Sequence, residues 1–189
     1  HIPIKEKIIL FAGRLDEVKG VLYLIKAFRE VLKYKPNCRL IMVGSGDYDK
    51  CFRECKDIYS KIIFTGLLEK QDLHKFYTIA DIGVIPSLFE PFGFVAVEMM
   101  MHSLPIIVTA TSGLNEVVDD NCGIKIPLTI LQNKVEIDSS LLAEKIVWLL
   151  DHSTIAKQIG ENGRKRFLRN YSTKIFGENM LHTYQSIEI

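Results

Sequence analysis

The stretch Ile82-Gly83-Val84-Ile85-Pro86-Ser87-Leu88-Phe89-Glu90-Pro91-Phe92-Gly93-Phe94-Val95-Ala96-Val97-Glu98-Met99-Met100-Met101 passes through three local patterns. Ile82 to Ile85 is a short apolar run halted by Pro86, which reads as a buried strand. A loop with Pro91 and Gly93 follows, and Phe94 to Met101 reads as an apolar helix. Strand, loop and helix in that order make one βα unit, and the same alternation extends outward on both sides. Strands are expected at residues 8–12, 40–43, 62–64, 105–108 and 123–126. Between them, Leu24, Ala27, Phe28, Val31 and Leu32 mark one face of a helix ending before Pro36, and helices are expected over 48–59 and 71–80, with a helical turn at 114–118. The expected fold is therefore α/β: a Rossmann-like, mostly parallel sheet flanked by helices on both faces. Residues 127–138 carry no periodicity and read as a loop. A helical tail follows, with Ser139, Ser153 and Ser172 each placed to cap a helix.

At 189 residues the chain fits one domain, with a sheet core over 1–126 and a mostly helical tail over 139–189. Hydrophobic residues at 48% and charged residues at 25% are the balance of a globular chain, which excludes a disordered or fibrous one. The 24 basic and 23 acidic residues nearly cancel, so no global field exists to hold nucleic acid or an acidic membrane, and an anionic ligand must be met locally. No apolar run approaches the ~20 residues of a membrane span, the start lacks a signal-peptide layout, and the expected compartment is cytoplasmic. Cys38, Cys51, Cys55 and Cys122 show no zinc spacing. Cys51 and Cys55 share a helix face, which leaves a metal or redox role open beside plain core packing, and no metal site is assigned.

In an open α/β sheet the ligand crevice lies beyond the carboxyl ends of the strands. The first loop there, Gly13-Arg14-Leu15-Asp16-Glu17-Val18-Lys19-Gly20, sets a guanidinium and an ammonium in one turn, a pair able to meet a diphosphate. The alternative is a solvated loop in which Arg14 and Lys19 pair with Asp16 and Glu17. Glu90 and Glu98 are separated by seven residues, one in a loop and one a turn into an apolar helix. A carboxylate buried there costs on the order of several kcal/mol unless it is partnered, either by a pair of ribose hydroxyls or by a basic side chain. The free amides at Gly93, Phe94 and Val95, where that helix begins, form an anion site. Gly44-Ser45-Gly46 reads as a plain turn or a phosphate approach; lacking a third glycine, it argues against a dehydrogenase. His74 and His102 receive no role.

These residues, taken in order, resemble the retaining glycosyltransferases of the GT-B fold, specifically the C-terminal domain of glycosyltransferase family 4. Ile9 to Leu15 with Lys19-Gly20 is similar to that family's first strand and phosphate loop. Ala80-Asp81, Pro86-Ser87, Glu90-Pro91-Phe92-Gly93 and Glu98 resemble its Glu-x7-Glu motif, and Gly160-Glu161-Asn162-Gly163-Arg164 with Tyr171-Ser172 resembles its tail. A departure stands at His102-Ser103-Leu104-Pro105, where the family often has a glycine before the proline.

The resemblance implies that Gly13, Arg14 and Lys19 hold a donor diphosphate, that Glu98 binds ribose hydroxyls and that Glu90 orients the donor sugar. It further implies that Gly93, Phe94 and Val95 offer amides to sugar and phosphate, and that Leu67 and Leu68 border the base. Glu90, Arg14 and Lys19 would serve catalysis, with no cofactor or metal and a UDP-, GDP- or ADP-sugar as donor substrate. The reaction implied is sugar transfer to an acceptor hydroxyl with retention, in glycan or surface-polysaccharide synthesis. The family's N-terminal acceptor domain is read as absent, so the chain is expected to bind nucleotide sugar but transfer poorly. Nucleic acid is not an expected partner, and peripheral attachment to the inner face of the membrane is left open for the full-length enzyme alone. A nucleotide-sugar epimerase, a phosphorylase of related fold and a non-catalytic nucleotide-binding module are the rival readings.

Overall fold

The computed structural model describes residues 6–131 and 134–187. Its order is β1 Lys7–Ala12, α1 Val21–Tyr34, β2 Cys38–Val43, α2 Tyr48–Glu54, β3 Ile62–Gly66, α3 Lys70–Ile79, β4 Ile82–Ile85, α4 Phe94–Met101, β5 Ile106–Thr109, α5 Ser112–Val117 and β6 Ile124–Ile126. Then come β7 Leu128–Leu131, β8 Lys134–Ile137, α6 Ser139–Asp151, α7 Ser153–Asn170 and α8 Thr173–Ile187. Six strands form one parallel sheet in the order β3-β2-β1-β4-β5-β6.

The burial of the strands explains their composition. Every described residue of β4 and β5 is buried, as expected for strands covered on both faces. Because successive side chains point to opposite faces, β1 divides its own core: Ile9 and Phe11 pack with α1 and α6, whereas Ile8, Leu10 and Ala12 pack on the face of α3, α4 and α5. Leu40 and Met42 of β2 likewise part from Ile41 and Val43.

The strand order reverses between β1 and β4, so the chain leaves these adjacent strands in opposite directions. In open α/β sheets ligands bind at such a switch point. There the two loops dock: the Leu88 amide donates to the Val18 carbonyl at 2.8 Å. Gly20, at φ 66°, lies so close to Pro86 that an added Cβ would stand 1.8 Å from its carbonyl oxygen.

Several expectations are corrected. Residues 128–131 and 134–137 form an antiparallel hairpin instead of a loop. Ile130, Leu131 and Val135 are exposed, so the pair stands apart from the buried sheet and its alternation is weak. The helix expected over 48–59 stops at Glu54, and a 3-10 turn, Tyr59–Lys61, leads into β3. Asp138, not Ser139, caps α6, accepting from the amides of Ser140 and Leu141; the Ser139 hydroxyl donates to the Tyr23 carbonyl instead. His152 precedes α7 without a side-chain cap, so Ser153 does not cap it. Ser172 does accept from the Ile175 amide at 3.4 Å as α8 begins.

The departure at Ser103 has a structural counterpart. Leu104 donates to the Met99 carbonyl and Ser103 to that of Met100, a Schellman closure of α4 with Ser103 in the left-handed conformation at φ 56°. Helix α7 packs onto this corner through Gly160, where a Cβ would come within 2.0 Å of the Ser103 carbonyl oxygen. Among the described residues, no helix is long and apolar enough to cross a membrane.

Candidate functional site

The loops leaving β1, β2 and β3 are tied into one rim. Gly13 donates to Val43, Leu15 to Ser45, Asp47 to Leu15 and Gly44 to Gly66, each at 2.8 or 2.9 Å. Gly44 and Gly46 are required by this contact, since Cβ atoms there would meet the carbonyl oxygens of Gly13 and Leu15 at 1.9 and 2.4 Å. The Gly-x-Gly turn thus serves backbone packing. Beyond it, Leu67 stands 78% exposed, while Leu68 is partly buried against the α3–α4 side of the core.

Within the β1–α1 loop, the Asp16 carboxylate accepts from the Lys19 amide at 2.9 Å and lies 3.2 Å from the Arg14 guanidinium. The Arg14 side chain is 72% exposed. Lys19 turns the other way. Its ammonium reaches Glu90 across the switch point at 2.6 Å, with both side chains largely buried. The local pairing weighed from sequence therefore holds for Arg14 with Asp16, but Lys19 takes Glu90 rather than Glu17. An ammonium has three donors, so two remain for oxygen ligands at that position.

The β4–α4 loop is anchored from below. Ser87 is fully buried, its carbonyl accepts from the Thr109 hydroxyl, and the Glu90 carbonyl accepts from the Gly113 amide at 3.1 Å. Gly93, at φ 108°, opens α4 with no side chain capping it. First-turn amides of a helix lack intrahelical partners, and with the helix dipole behind them they favour an anion. The expectation of a buried helix holds at Ala96, Met99 and Met100, but Phe94 is 74% exposed, its ring 4.9 Å from that of Phe92.

Among the described residues, no basic side chain pairs with Glu98, which answers one of the two partners weighed from sequence. Its carboxylate accepts from the hydroxyl of Tyr77 at 2.9 Å. Tyr77 lies on α3 and is 1% exposed, and its phenol is pushed well above the ordinary range by burial, then by the charge of Glu98 and the hydrogen bond to it. Behind this pair, His74 Nδ1 lies 2.7 Å from His102 Nε2, while His74 Nε2 is buried without a partner. Burial holds His102 below its usual value, helped by His74 and Arg164 and opposed by Glu98. Sequence reading missed this cluster. Its signal was a matched spacing, since His74 with Tyr77 and Glu98 with His102 each stand one helical turn apart on two helices of one layer.

The contacts thus join Lys19 to Glu90 and Glu98 to Tyr77, but they do not join the two pairs to each other. A cavity of about 400 Å³ beside the β1–α1 loop takes in Asp16, Glu17, Gly20, Lys26 and Lys50, but none of Lys19, Glu90 and Glu98. Among the described residues, no group of three or more His, Cys, Asp or Glu could hold a metal ion. All four cysteines are buried and free. Cys51 and Cys55 pack in the core beneath α1, where burial pushes the Cys51 thiol up to about 11.

The sheet order, with its reversal between β1 and β4, and the uncapped start of α4 are those of doubly wound α/β domains, a class in which ligands bind at the carboxyl edge of the sheet. More particularly, residues 1–166 match the family model described as glycosyl transferases group 1, and the chain belongs to that family. An uncharacterized glycosyltransferase of Methanocaldococcus jannaschii is 41% identical over 118 residues, covering 60% of this chain and 30% of that protein. A GDP-mannose-dependent monoacylated alpha-(1-6)-phosphatidylinositol monomannoside mannosyltransferase of Corynebacterium glutamicum is 29% identical across 92% of this chain and 46% of its own length. Among solved structures, sucrose-phosphate synthase from Thermosynechococcus elongatus superposes with a TM-score of 0.84 at 28% identity, covering 98% of this chain and 46% of that one. The chain spans less than half the length of each of these relatives.

Proposed function

We propose that this chain binds a nucleoside-diphosphate sugar and forms the donor half of a retaining glycosyltransferase acting on an acceptor hydroxyl. The observation that carries the reading is the 2.6 Å contact of Lys19 with Glu90, which gathers a cation and an acid beside the uncapped start of α4 at the switch point. Gly13, Arg14 and Lys19, with the amides of Gly93, Phe94 and Val95, meet the diphosphate. As the bond from the anomeric carbon to the diphosphate oxygen breaks, negative charge grows on the leaving group, and these donors stabilise it without a metal. Glu90 orients the sugar, Glu98 receives the ribose hydroxyls, and Leu67 and Leu68 border the base.

The name of the corynebacterial relative supports a nucleotide-sugar donor. The share of each relative that this chain leaves uncovered supports an acceptor-binding half supplied by other sequence. The full-length enzyme is placed in the cytoplasm, in glycan or surface-polysaccharide synthesis, with peripheral attachment to the inner membrane face as its membrane contact.

Isothermal titration with UDP, GDP and ADP tests the reading. Hydrogen bonds to a charged group contribute about 1.5–3 kcal/mol, so Glu98→Ala should weaken the tightest-binding nucleotide by roughly 10- to 100-fold. Unchanged affinity in a folded Glu98→Ala chain would remove the ribose site.

A further inference from the structure

Glu98 is half-buried, and the hydroxyl that reaches it comes from a different helix and from the interior rather than from solvent. Three observations set this contact apart from an incidental one. Burial and the neighbouring carboxylate keep the Tyr77 phenol protonated, so it acts only as a donor toward Glu98. The Tyr77 ring is held on one side by the rings of His74 and His102, at 5.9 and 5.6 Å between centroids, and those two rings are bonded to each other. Finally, α4 is held at both ends: the loop leading into it packs backbone to backbone on Gly113, whose amide donates to the Glu90 carbonyl at 3.1 Å, and the Schellman closure ends it.

A glutamate side chain loses up to ~2 kcal/mol of rotamer freedom when it is immobilised, and a ligand that must order it bears that cost on binding. A carboxylate has about four acceptor positions, of which Tyr77 fills one on Oε2. The remaining positions are oriented by the plane that this bond imposes. A vicinal diol needs two acceptors at fixed separation, which is what a carboxylate of fixed plane provides.

We infer that Tyr77 is a positioning residue: its hydroxyl fixes the Glu98 carboxylate in the orientation that grips the two hydroxyls of a ribose. The inference rests on the proposed role of Glu98, and the His74–His102 pair serves it only by holding the Tyr77 ring. A merely structural Tyr77–Glu98 contact would affect folding without discriminating between ribose and deoxyribose.

The test uses whichever of UDP, GDP and ADP raises the melting temperature of the chain most, paired with its 2′-deoxy form. In the unaltered chain the ribonucleotide should bind at least tenfold more tightly than the deoxynucleotide. Tyr77→Phe should cut ribonucleotide affinity by about 5- to 10-fold, change deoxynucleotide affinity less than twofold, and so flatten the ratio. Should Tyr77→Phe not fold, Tyr77→Met, which fills similar space without a hydrogen-bond donor, takes its place with the same expectation. If Glu98→Ala flattens the ratio but the Tyr77 variants do not, the positioning role is overturned and the ribose role of Glu98 stands. If Glu98→Ala leaves the ratio untouched, or if no nucleotide shifts the melting temperature, the ribose reading fails and the positioning role falls with it.

Discussion

Replacing Gly20 by alanine should destabilise the chain by about 3 kcal/mol, for two separable reasons. Gly20 sits at φ 66°, where a side chain costs roughly 1–2 kcal/mol. Its new Cβ would also lie 1.8 Å from the Pro86 carbonyl oxygen, and backbone, unlike a flexible side chain, cannot swing aside. Restoring ordinary contact requires the β1–α1 and β4–α4 loops to part by about 1.5 Å. That movement breaks the Leu88–Val18 backbone bond, which contributes about 1 kcal/mol, and stretches the Lys19–Glu90 pair. Gly177 provides the control, because nothing lies within 4 Å of its would-be Cβ and it occupies a helix, where alanine is favoured by ~1 kcal/mol. Urea unfolding of both variants, with midpoint and slope compared to the parent, gives the two free energies. A Gly20→Ala loss no larger than 1 kcal/mol would refute the argument that these loops are in rigid backbone contact.

Three further expectations follow from features already described. Ser103→Gly should raise stability by roughly 0.5–1 kcal/mol, because glycine adopts the left-handed closure of α4 without strain; a lower melting temperature would contradict this. Asp138→Ala should cost about 1 kcal/mol through loss of the α6 cap, whereas Ser139→Ala should leave the first-turn amides of α6 satisfied, and equal losses in urea would count against the assignment. His102 in the fold lies below its ordinary 6.5, so the unfolded chain takes up a proton first as pH falls. The stability that neutral His102 brings is complete above that value and drains away as the pH drops through the folded-state value. Between about pH 7.5 and pH 5.5 the melting temperature of the parent should therefore fall more than that of His102→Gln, and parallel falls would sink the idea.

The middle of the sheet was legible because β1, β4 and β5 are buried almost throughout. A strand covered on both faces must be apolar along its whole length, so Ile82–Ile85 and residues 8–12 stood out within a polar chain. Arg14, Lys19 and Glu90 were legible by chemistry and by their place in loops between strands and helices, and Glu98 as a charge within an apolar helix. Their partners were not. Lys19 chose Glu90 over the adjacent Glu17 because the close approach of Gly20 to Pro86 aims it across the switch point, a contact between residues far apart in sequence. Tyr77 was hidden for a similar reason: in sequence it is one aromatic on a partly apolar helix, and only the packing of α3 beside α4 turns its hydroxyl onto Glu98. The hairpin escaped notice because its strands are four residues each and largely exposed, which leaves the period-two pattern nothing to register against.

The position of β1 governs how the chain can assemble. Although it comes first in sequence among the six strands of the sheet, β1 lies in its middle, with Ile9 opposite Leu40 on one side and opposite Ile82 on the other. A polypeptide emerging from the ribosome can add β2 and β3 as soon as they appear, yet the second flank of β1 stays open until β4 has been made. Pairing across so long a separation is slow, since loop-closure entropy must be met before the new contacts form. The loops that carry Lys19 and Glu90 are brought together only by the pairing of β1 with β4, so their contact cannot form before β4 and the loop after it have been made.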